Sequence, residues 1–229
     1  MRRLVLFDID ETMVKSDGVG RRALTSALET VLGRPVQSAG VVLSGKTDPQ
    51  ICQEILTASG VNLAELDPIL SRVFETYLPI LQREIERATV YHLHAGVTAL
   101  IQALLSIDGV YLGLLTGNIE RGARIKLEPF NLNGFFPIGA FGSDSADRLD
   151  LPSIARARAT RYFKGEFAPA EIVVIGDSTN DVRCAQGYGC TSLAVNSGRT
   201  TWAELRELEP DFLFSSLTNT QEVVAAILS

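Results

Sequence analysis

The chain has 229 residues, of which 46% are hydrophobic, and its 27 acidic and 21 basic side chains give a formal charge of −6. That length supplies the core of one large domain, or of a domain with an insert. The negative charge argues against broad binding to nucleic acid or to an anionic membrane surface, and a small anionic substrate fits only if a cation lies in its site.

Short apolar runs predict strands, and amphipathic stretches between them predict helices. The predicted strands are 4–7, 110–115, 172–175, 191–195 and 211–214, and the helices are 20–32, 48–58, 66–87, 96–106 and 152–163. Continuous apolar runs are typical of strands that are covered on both faces of a parallel sheet. Their alternation with helices indicates the α/β class with a doubly wound parallel sheet.

The span 15–88 interrupts this alternation, because it holds three helical patterns and few convincing strand runs. We predict that it is an α-helical cap domain, inserted into a catalytic core made of residues 1–14 and 89–229. Both junctions then lie beside the acids that follow the first strand. A lid over an active site needs its hinges at such a place.

Polar residues follow three of the predicted strands. Asp8 and Asp10 follow the first, the tripeptide 116–118 (Thr-Gly-Asn) follows the second, and Asp177 and Asp181 follow the third, at 172–175. Each alone also fits a turn or a helix cap. Because open α/β sheets bind ligands at the carboxyl ends of their strands, we expect one shared site. Clustered carboxylates need a cation, and oxygen ligands favour Mg²⁺.

These residues carry a resemblance to a known family. The string Asp8-Ile9-Asp10-Glu11-Thr12 resembles the DxDxT signature of the haloacid dehalogenase superfamily, and Thr116 and the segment 176–181 resemble its second and fourth motifs. With its helical insert, the chain is similar over essentially its whole length to the branch of phosphoglycolate phosphatase and β-phosphoglucomutase. The resemblance implies a Rossmann-like core. It also implies a phosphate enzyme, since the superfamily's dehalogenases lack an acid at the position of Asp10.

The resemblance assigns catalytic roles to matched positions. Asp8 is the expected nucleophile, which forms an aspartyl-phosphate. Asp10 is the expected acid for the leaving group and then the base for water. Thr116, Gly117 and Asn118 are expected to hold the phosphoryl oxygens.

The resemblance also implies a metal site for the Mg²⁺ cofactor. Its expected ligands are Asp8, the backbone carbonyl of Asp10, and Asp177. Asp181 is expected either to bind the metal directly or to support the other ligands. The metal offsets the repulsion between the nucleophile and the phosphate.

The family's third motif, a lysine, has no direct match. The corresponding stretch, 141–152, contains no lysine. Arg148 is the predicted substitute, because a guanidinium group can pair bidentately with phosphate or carboxylate. Lys126 and Lys164 are the alternatives, and an ordinary surface arginine at a helix start also fits position 148.

The loop 43–49 resembles the cap loop that contacts the substrate's leaving group in this branch. Gly45 permits a close approach of the backbone, and Lys46 offers a cation for a second anionic group. The same residues also fit a helix entry, with Thr47 or Asp48 as the cap and Pro49 in the first turn.

The sequence thus predicts a Mg²⁺-dependent phosphatase that acts on a small phosphorylated metabolite, resembling phosphoglycolate or a sugar phosphate. A phosphomutase that returns the phosphoryl group from Asp8 to a sugar hydroxyl is the alternative. A receiver-type signalling domain also uses acids, a Thr and a Lys at parallel strand ends, but that module is shorter and has no cap.

The expected setting follows from simpler features. Cys52, Cys184 and Cys190 are odd in number and lack a CxxC spacing, so we expect neither a disulfide framework nor a thiolate zinc site. The apolar run before Asp8 is too short for a signal sequence, and no run reaches the roughly 18 residues of a membrane span. We therefore expect a cytoplasmic protein without a membrane partner, either a monomer or a homodimer.

Overall fold

A computed structural model describes residues 2–38, 40, 44–62 and 66–229. The strands are β1 (Arg3–Phe7), β2 (Val14–Lys15), β3 (His92–Leu93), β4 (Val110–Thr116), β5 (Ile138–Phe141), β6 (Ile172–Gly176), β7 (Thr191–Val195) and β8 (Phe212–Phe214). The helices are α1 (Val19–Leu32), α2 (Asp48–Ala58), α3 (Leu66–Arg87), α4 (Val97–Leu105), α5 (Glu120–Leu127), α6 (Leu151–Phe163), α7 (Thr179–Tyr188), α8 (Trp202–Glu207) and α9 (Thr220–Leu228). Across these ranges, no helix combines the length and the apolar character that crossing a bilayer requires.

Six parallel strands form the main sheet, in the order β5-β4-β1-β6-β7-β8. The strand β1 lies inside it, with Leu4 opposite Tyr111 of β4 on one side and opposite Ile172 of β6 on the other. From β1 the chain builds the sheet outward through β4 and β5, and then crosses to β6 on the opposite side. The switch point of the doubly wound sheet therefore lies at the carboxyl end of β1, where ligands bind in such folds. The predicted fold class is confirmed.

Alternate residues of β1 supply the two cores of the sheet. Val5 and Phe7 belong to a cluster that includes buried residues of α4, α5 and α9, whereas Leu4 and Leu6 belong to a cluster with α6 and α7. Side chains point to opposite faces along a strand, so a run that is apolar at every position needs cover on both faces. Residues 4–7 of β1 are therefore apolar at every position because both faces of the strand are buried.

The helices α1, α2 and α3 bury their apolar faces in a separate cluster, around the fully buried Tyr77. Ile119, at the start of α5, also belongs to that cluster and joins it to the sheet layer. The strand β2 comes before this helical segment and β3 comes after it. The two strands pair as an antiparallel ribbon, with Val14 opposite Leu93. The chain thus enters and leaves the helices along adjacent strands. The predicted boundaries of core and cap stay a prediction.

Some elements escaped prediction for local reasons. The bounds of α2 and α3 match the expected 48–58 and 66–87, but β5 was missed because its four residues include Gly139, which weakens a strand pattern. The strands β2 and β3 have two residues each, too few for any alternation to show. The helices α5, α7 and α9 were also missed.

The N-terminus of α2 rests on the sheet layer through Thr47. This residue caps the helix, because its hydroxyl accepts a hydrogen bond from the Gln50 amide (3.2 Å), and the same hydroxyl donates to the carbonyl of Ala146 (2.7 Å). Its side chain is fully buried. Pro49 lies in the first turn, as the helix-entry interpretation of this loop requires. One hydroxyl therefore serves both the helix and its docking.

Replacing Thr47 by Val keeps the shape of the side chain and removes both hydrogen bonds. We expect the free energy of unfolding to fall by about 1–3 kcal/mol, since a partly buried amide and a partly buried carbonyl lose their partner. Urea titration followed by circular dichroism measures the change. Thr57→Val, at an exposed position of the same helix, is the control with little expected effect. Equal losses in the two variants would contradict the docking role of Thr47.

Candidate active site

Three buried carboxylates meet at the carboxyl ends of β1 and β6. Asp8, Asp177 and Asp181 each offer an oxygen, and these oxygens all lie within 4.8 Å of one another. Thr12 donates a hydrogen bond to Asp177 Oδ1 (3.0 Å), and Gly176 admits Asp181 because a Cβ there would collide with its carboxylate. The structure brings these three acids together at one site, as the sequence predicted.

The electrostatics of this cluster oppose full ionisation. Burial, together with the neighbouring acids Asp181 and Asp10, raises the pKa of Asp8 to about 7 against the pull of Arg148. Burial and repulsion from Asp181 and Asp8 hold the pKa of Asp177 well above its ordinary range. The cluster therefore needs added positive charge for all its carboxylates to be ionised at neutral pH.

Arg148 lies where a cation beside Asp8 was expected. Its guanidinium Nη2 is 3.3 Å from Asp8 Oδ1 and donates a hydrogen bond to Asp181 Oδ1. Burial alone would lower the pKa of Arg148, but these two carboxylates raise it overall. Of the two alternatives for this role, Lys164 is exposed at the end of α6, and Lys126 pairs with Asp10.

The acid cluster fits a hard divalent cation. Three carboxylates face one guanidinium group, which leaves two negative charges without a partner at this point if all are ionised. Asp181 already uses both oxygens, since Oδ1 binds Arg148 and Oδ2 accepts from the Ser178 amide (2.9 Å) and hydroxyl (2.6 Å). Asp8 and Asp177 are consequently the better placed to bind a metal, with Asp181 holding Arg148 and the start of α7. An all-oxygen donor set of this kind suits Mg²⁺.

Asp10 lies beside this cluster, and its partners come from β4 and α5. Lys126 Nζ is 2.8 Å from Asp10 Oδ1 and 2.6 Å from Oδ2. Asn118 Nδ2 donates to Asp10 Oδ2 (2.7 Å) and to Thr116 Oγ1 (2.8 Å). The residues of the second motif are thus connected directly to Asp10. Sequence reasoning missed the Lys126 contact, because only the packing of α5 brings that lysine to the strand ends.

The loop before α2 is docked onto the second motif. The Asp48 amide donates to the Gly117 carbonyl (2.7 Å), and Asp48 Oδ2 accepts from the Ile119 amide (2.9 Å). A Cβ at Gly117 would collide with the backbone of Lys46, so glycine is needed there for this approach. Helix α2 and the end of β4 are therefore held together by the main chain and the side chain of Asp48.

The two predicted substrate contacts in this loop have different surroundings. Gly45 has a φ of +69°, and a Cβ there would lie 2.7 Å from Asn180 Cβ, so its backbone passes close to α7. Lys46 Nζ pairs with both oxygens of Glu54 (2.6 and 2.7 Å), and its charge is already compensated. Leu43, at the start of the predicted loop, lies outside the described residues.

A cavity of about 650 Å³ lies over these groups. Asp8, Asp10, Thr116, Arg148 and Asp177 line it on the side of the sheet. On the opposite side it is lined by the start of α1 and by the loop 44–46, with Gly18, Gly20, Arg21 and Leu24 among the residues. The space between the sheet and the helices is of the size that small-molecule sites have.

The comparisons with known proteins agree with this geometry. Residues 5–195 match the model of the haloacid dehalogenase-like hydrolase family. The chain belongs to that family. Membership excludes the receiver-type alternative.

Two relatives and one solved structure show which members of this family the chain is similar to. A phosphoglycolate phosphatase of Vibrio vulnificus is 25% identical over 227 residues, which cover 97% of this chain and 96% of the relative. A phosphoglycolate phosphatase of Salmonella typhimurium is 25% identical over 151 residues, which are 66% of this chain and only 56% of the relative. A crystal structure of a predicted phosphoglycolate phosphatase from Haemophilus somnus covers 97% of this chain and 98% of its own, with a TM-score of 0.72 and 18% identity. The last of these establishes the fold alone.

Asp48 gives a pH-dependent test of the docked loop. Burial raises its pKa from 3.8 to about 6, although Lys126 and the Ile119 amide pull the pKa down. Folding then costs more as Asp48 ionises, so wild type should lose stability relative to Asp48→Asn as the pH rises from about 4 to about 7, by up to about 3 kcal/mol. Denaturant unfolding of both proteins across this range measures the difference, and other titrating groups cancel in it. Parallel stability profiles would contradict the assigned environment.

Proposed function

We propose that the protein is a Mg²⁺-dependent phosphatase, which hydrolyses a small phosphomonoester through an aspartyl-phosphate on Asp8. The observation that carries this proposal is the position of Asp8: a buried carboxylate on the cavity floor, in contact with Arg148 and beside Asp177, with a second acid, Asp10, lining the same cavity. An acid that is held next to positive charge can act as a nucleophile toward an anionic phosphorus centre.

In the first half of the reaction, a carboxylate oxygen of Asp8 attacks phosphorus and forms the acyl-phosphate bond. The ester P–O bond breaks, and Asp10 gives its proton to the departing alkoxide. Thr116 and the backbone of 117–118 lie beside Asp8 at the end of β4, where they can hold the phosphoryl oxygens. Arg148 compensates charge on the nucleophile.

In the second half, Asp10 takes a proton from water, and the water oxygen attacks phosphorus. The bond between Asp8 and phosphorus breaks, which releases inorganic phosphate and returns the Asp8 carboxylate. One carboxyl group thus serves as acid and then as base, so the proton it gave away is replaced within one turnover.

Asp8 and Asp177, with the carbonyl of Asp10, are the groups that would hold Mg²⁺. The cation supplies positive charge at the phosphoryl group and reduces repulsion between phosphate and nucleophile. Two observations support this assignment: Asp8 and Asp177 have carboxylate oxygens within 4.8 Å of each other, and the cluster has an excess of negative charge.

We infer that the substrate is a small phosphorylated metabolite, because the cavity has a volume of only about 650 Å³ and the helices over the strand ends bound it. Arg21, at the start of α1, lines that side and offers a positive charge to a second anionic group more readily than Lys46, whose partner is Glu54. Names of relatives add phosphoglycolate to the compounds worth testing first.

Phosphate release is the direct test of this function. We expect wild type to release inorganic phosphate from at least one of phosphoglycolate, a panel of sugar phosphates and para-nitrophenyl phosphate, with Mg²⁺ required. Asp8→Asn should lose turnover by at least about 10³-fold with an unchanged circular dichroism spectrum, because the nucleophile is removed and its shape kept. Near wild-type turnover in this variant would contradict the mechanism. An isomerised sugar phosphate without free phosphate would identify the mutase alternative.

Substitution of Arg148 tests the replacement of the third motif. Arg148→Ala leaves Asp8 and Asp181 without their shared cation, so we expect a loss of turnover of about 10²-fold or more, together with lower stability. Arg148→Lys restores a charge without the fork geometry, and should regain part of the activity. Steady-state kinetics and thermal unfolding measure both effects. A negligible loss in Arg148→Ala would move this role to another residue.

A further inference from the structure

The contact between Lys126 and Asp10 is not explained by the roles assigned so far. The side chain of Lys126 is only 4% exposed, and its ammonium group reaches both oxygens of Asp10 and the Oδ1 of Asn118 (2.5 Å). An ammonium group has three N–H donors, and here three acceptor oxygens surround it. Lys126 is thus fully engaged by the protein, and it is not the missing cation beside Asp8.

The carboxylate of Asp10 depends on these donors for its orientation. Asn118 Nδ2 donates to Oδ2, and Lys126 contacts both oxygens. The side chain of Asp10 is 37% exposed, so the cavity itself does little to fix its rotamer. Two connected side chains, both almost wholly buried, therefore hold one solvent-facing acid.

Lys126 is itself held from both layers of the molecule. The hydroxyl of Tyr91 donates to the Lys126 carbonyl (2.8 Å), which fixes this turn of α5. On the side of α1, a Cβ at Gly20 would lie 2.9 Å from Nζ and 3.3 Å from Cε. The absence of a side chain at Gly20 therefore leaves the space that the ammonium group occupies. The start of α1 closes over the Lys126–Asp10 pair.

We propose that Lys126 is a positioning residue, which holds the Asp10 carboxylate in the orientation that proton transfer requires when α1 lies over the site. This inference rests on the proposed function, since it concerns the acid–base step of that reaction. It adds a residue outside the motifs that the resemblance matched. It also gives Gly20 a role, because that glycine makes room for the clamp.

Some chemical steps of the proposed reaction need Asp10, and others do not. An alkyl phosphate needs a proton on its leaving oxygen, whereas para-nitrophenolate leaves without one. Hydrolysis of the aspartyl-phosphate needs Asp10 as a base for both esters. Loss of Lys126 should therefore slow the first half of the reaction for alkyl esters only, and the second half for both.

The test uses Lys126→Met, which keeps an unbranched side chain one atom shorter and removes the donors. With the alkyl ester, we expect kcat to fall by about 10- to 100-fold with little change in KM, a part of the roughly 10²–10⁴-fold that acid–base catalysis supplies. With para-nitrophenyl phosphate, rapid mixing should show a burst of nitrophenol close to one per enzyme, followed by slow turnover. Lys164→Met, at an exposed lysine, is the control and should match wild type.

Gly20→Ala provides a second variant that keeps Lys126. Its new Cβ crowds the ammonium group, so we expect the same selectivity between esters with a smaller loss. If Lys126→Met fails to fold, this variant decides the matter. Equal slowing of the burst and of alkyl ester cleavage, or wild-type rates with both esters, would overturn the positioning role while phosphatase activity stands. A wild-type protein that cleaves neither ester would overturn the proposed function, and this inference with it.

Discussion

The structure depends on the burial of three carboxylates around one guanidinium group. Asp8 and Asp177 follow adjacent strands of a parallel sheet, and Asp181 lies one helical turn further on, so the sheet itself forces the acids together. Burial raises the pKa values of Asp8 and Asp177, and Arg148 compensates only part of the charge. A group of this kind costs folding energy when it is ionised and unpaired. Because of this cost, the cluster favours the binding of a divalent cation, and such a charge arrangement suits phosphate chemistry.

Two buried cationic side chains contact the acids of the site, and each has its own set of partners. Arg148 serves Asp8 and Asp181, whereas Lys126 serves Asp10 and Asn118. The proposed nucleophile and the proposed proton-transfer group thus have separate partners, from different elements of the sheet layer. This division gives two neighbouring carboxylates different environments, which is the general way in which one site keeps a nucleophile apart from an acid.

The helices over the site are coupled to this arrangement by contacts at the starts of α1 and α2. Asp48 joins α2 to the end of β4, and Gly20 brings the start of α1 against Lys126. Because these contacts involve residues that line the cavity, the packing of the helices over the strand ends and the arrangement of the site depend on each other. The close approach of neighbouring segments requires glycine at positions 20, 45 and 117, where a Cβ atom would crowd its neighbours.

The sequence predicted the parts of this site that belong to the ends of strands. Apolar runs located β1, β4 and β6, and the polar residues that follow them meet as a parallel sheet requires. Arg148 was found from its place between motifs, but its contact with Asp181 depends on the turn after β5, a strand too short to predict. Lys126 lies on a helix that no pattern indicated, and its partner is 116 residues away in the chain. Pairings of this kind follow from packing and leave no local signal.

The central claim is that Asp8 takes the phosphoryl group. Acid quenching of the protein during turnover of a phosphate ester, followed by peptide mass spectrometry, locates that group directly. The account predicts phosphate on the Asp8 side chain, and none there in Asp8→Asn. Active protein whose trapped phosphate lies on another residue, or which never carries one under conditions where aspartyl-phosphates survive, would contradict it.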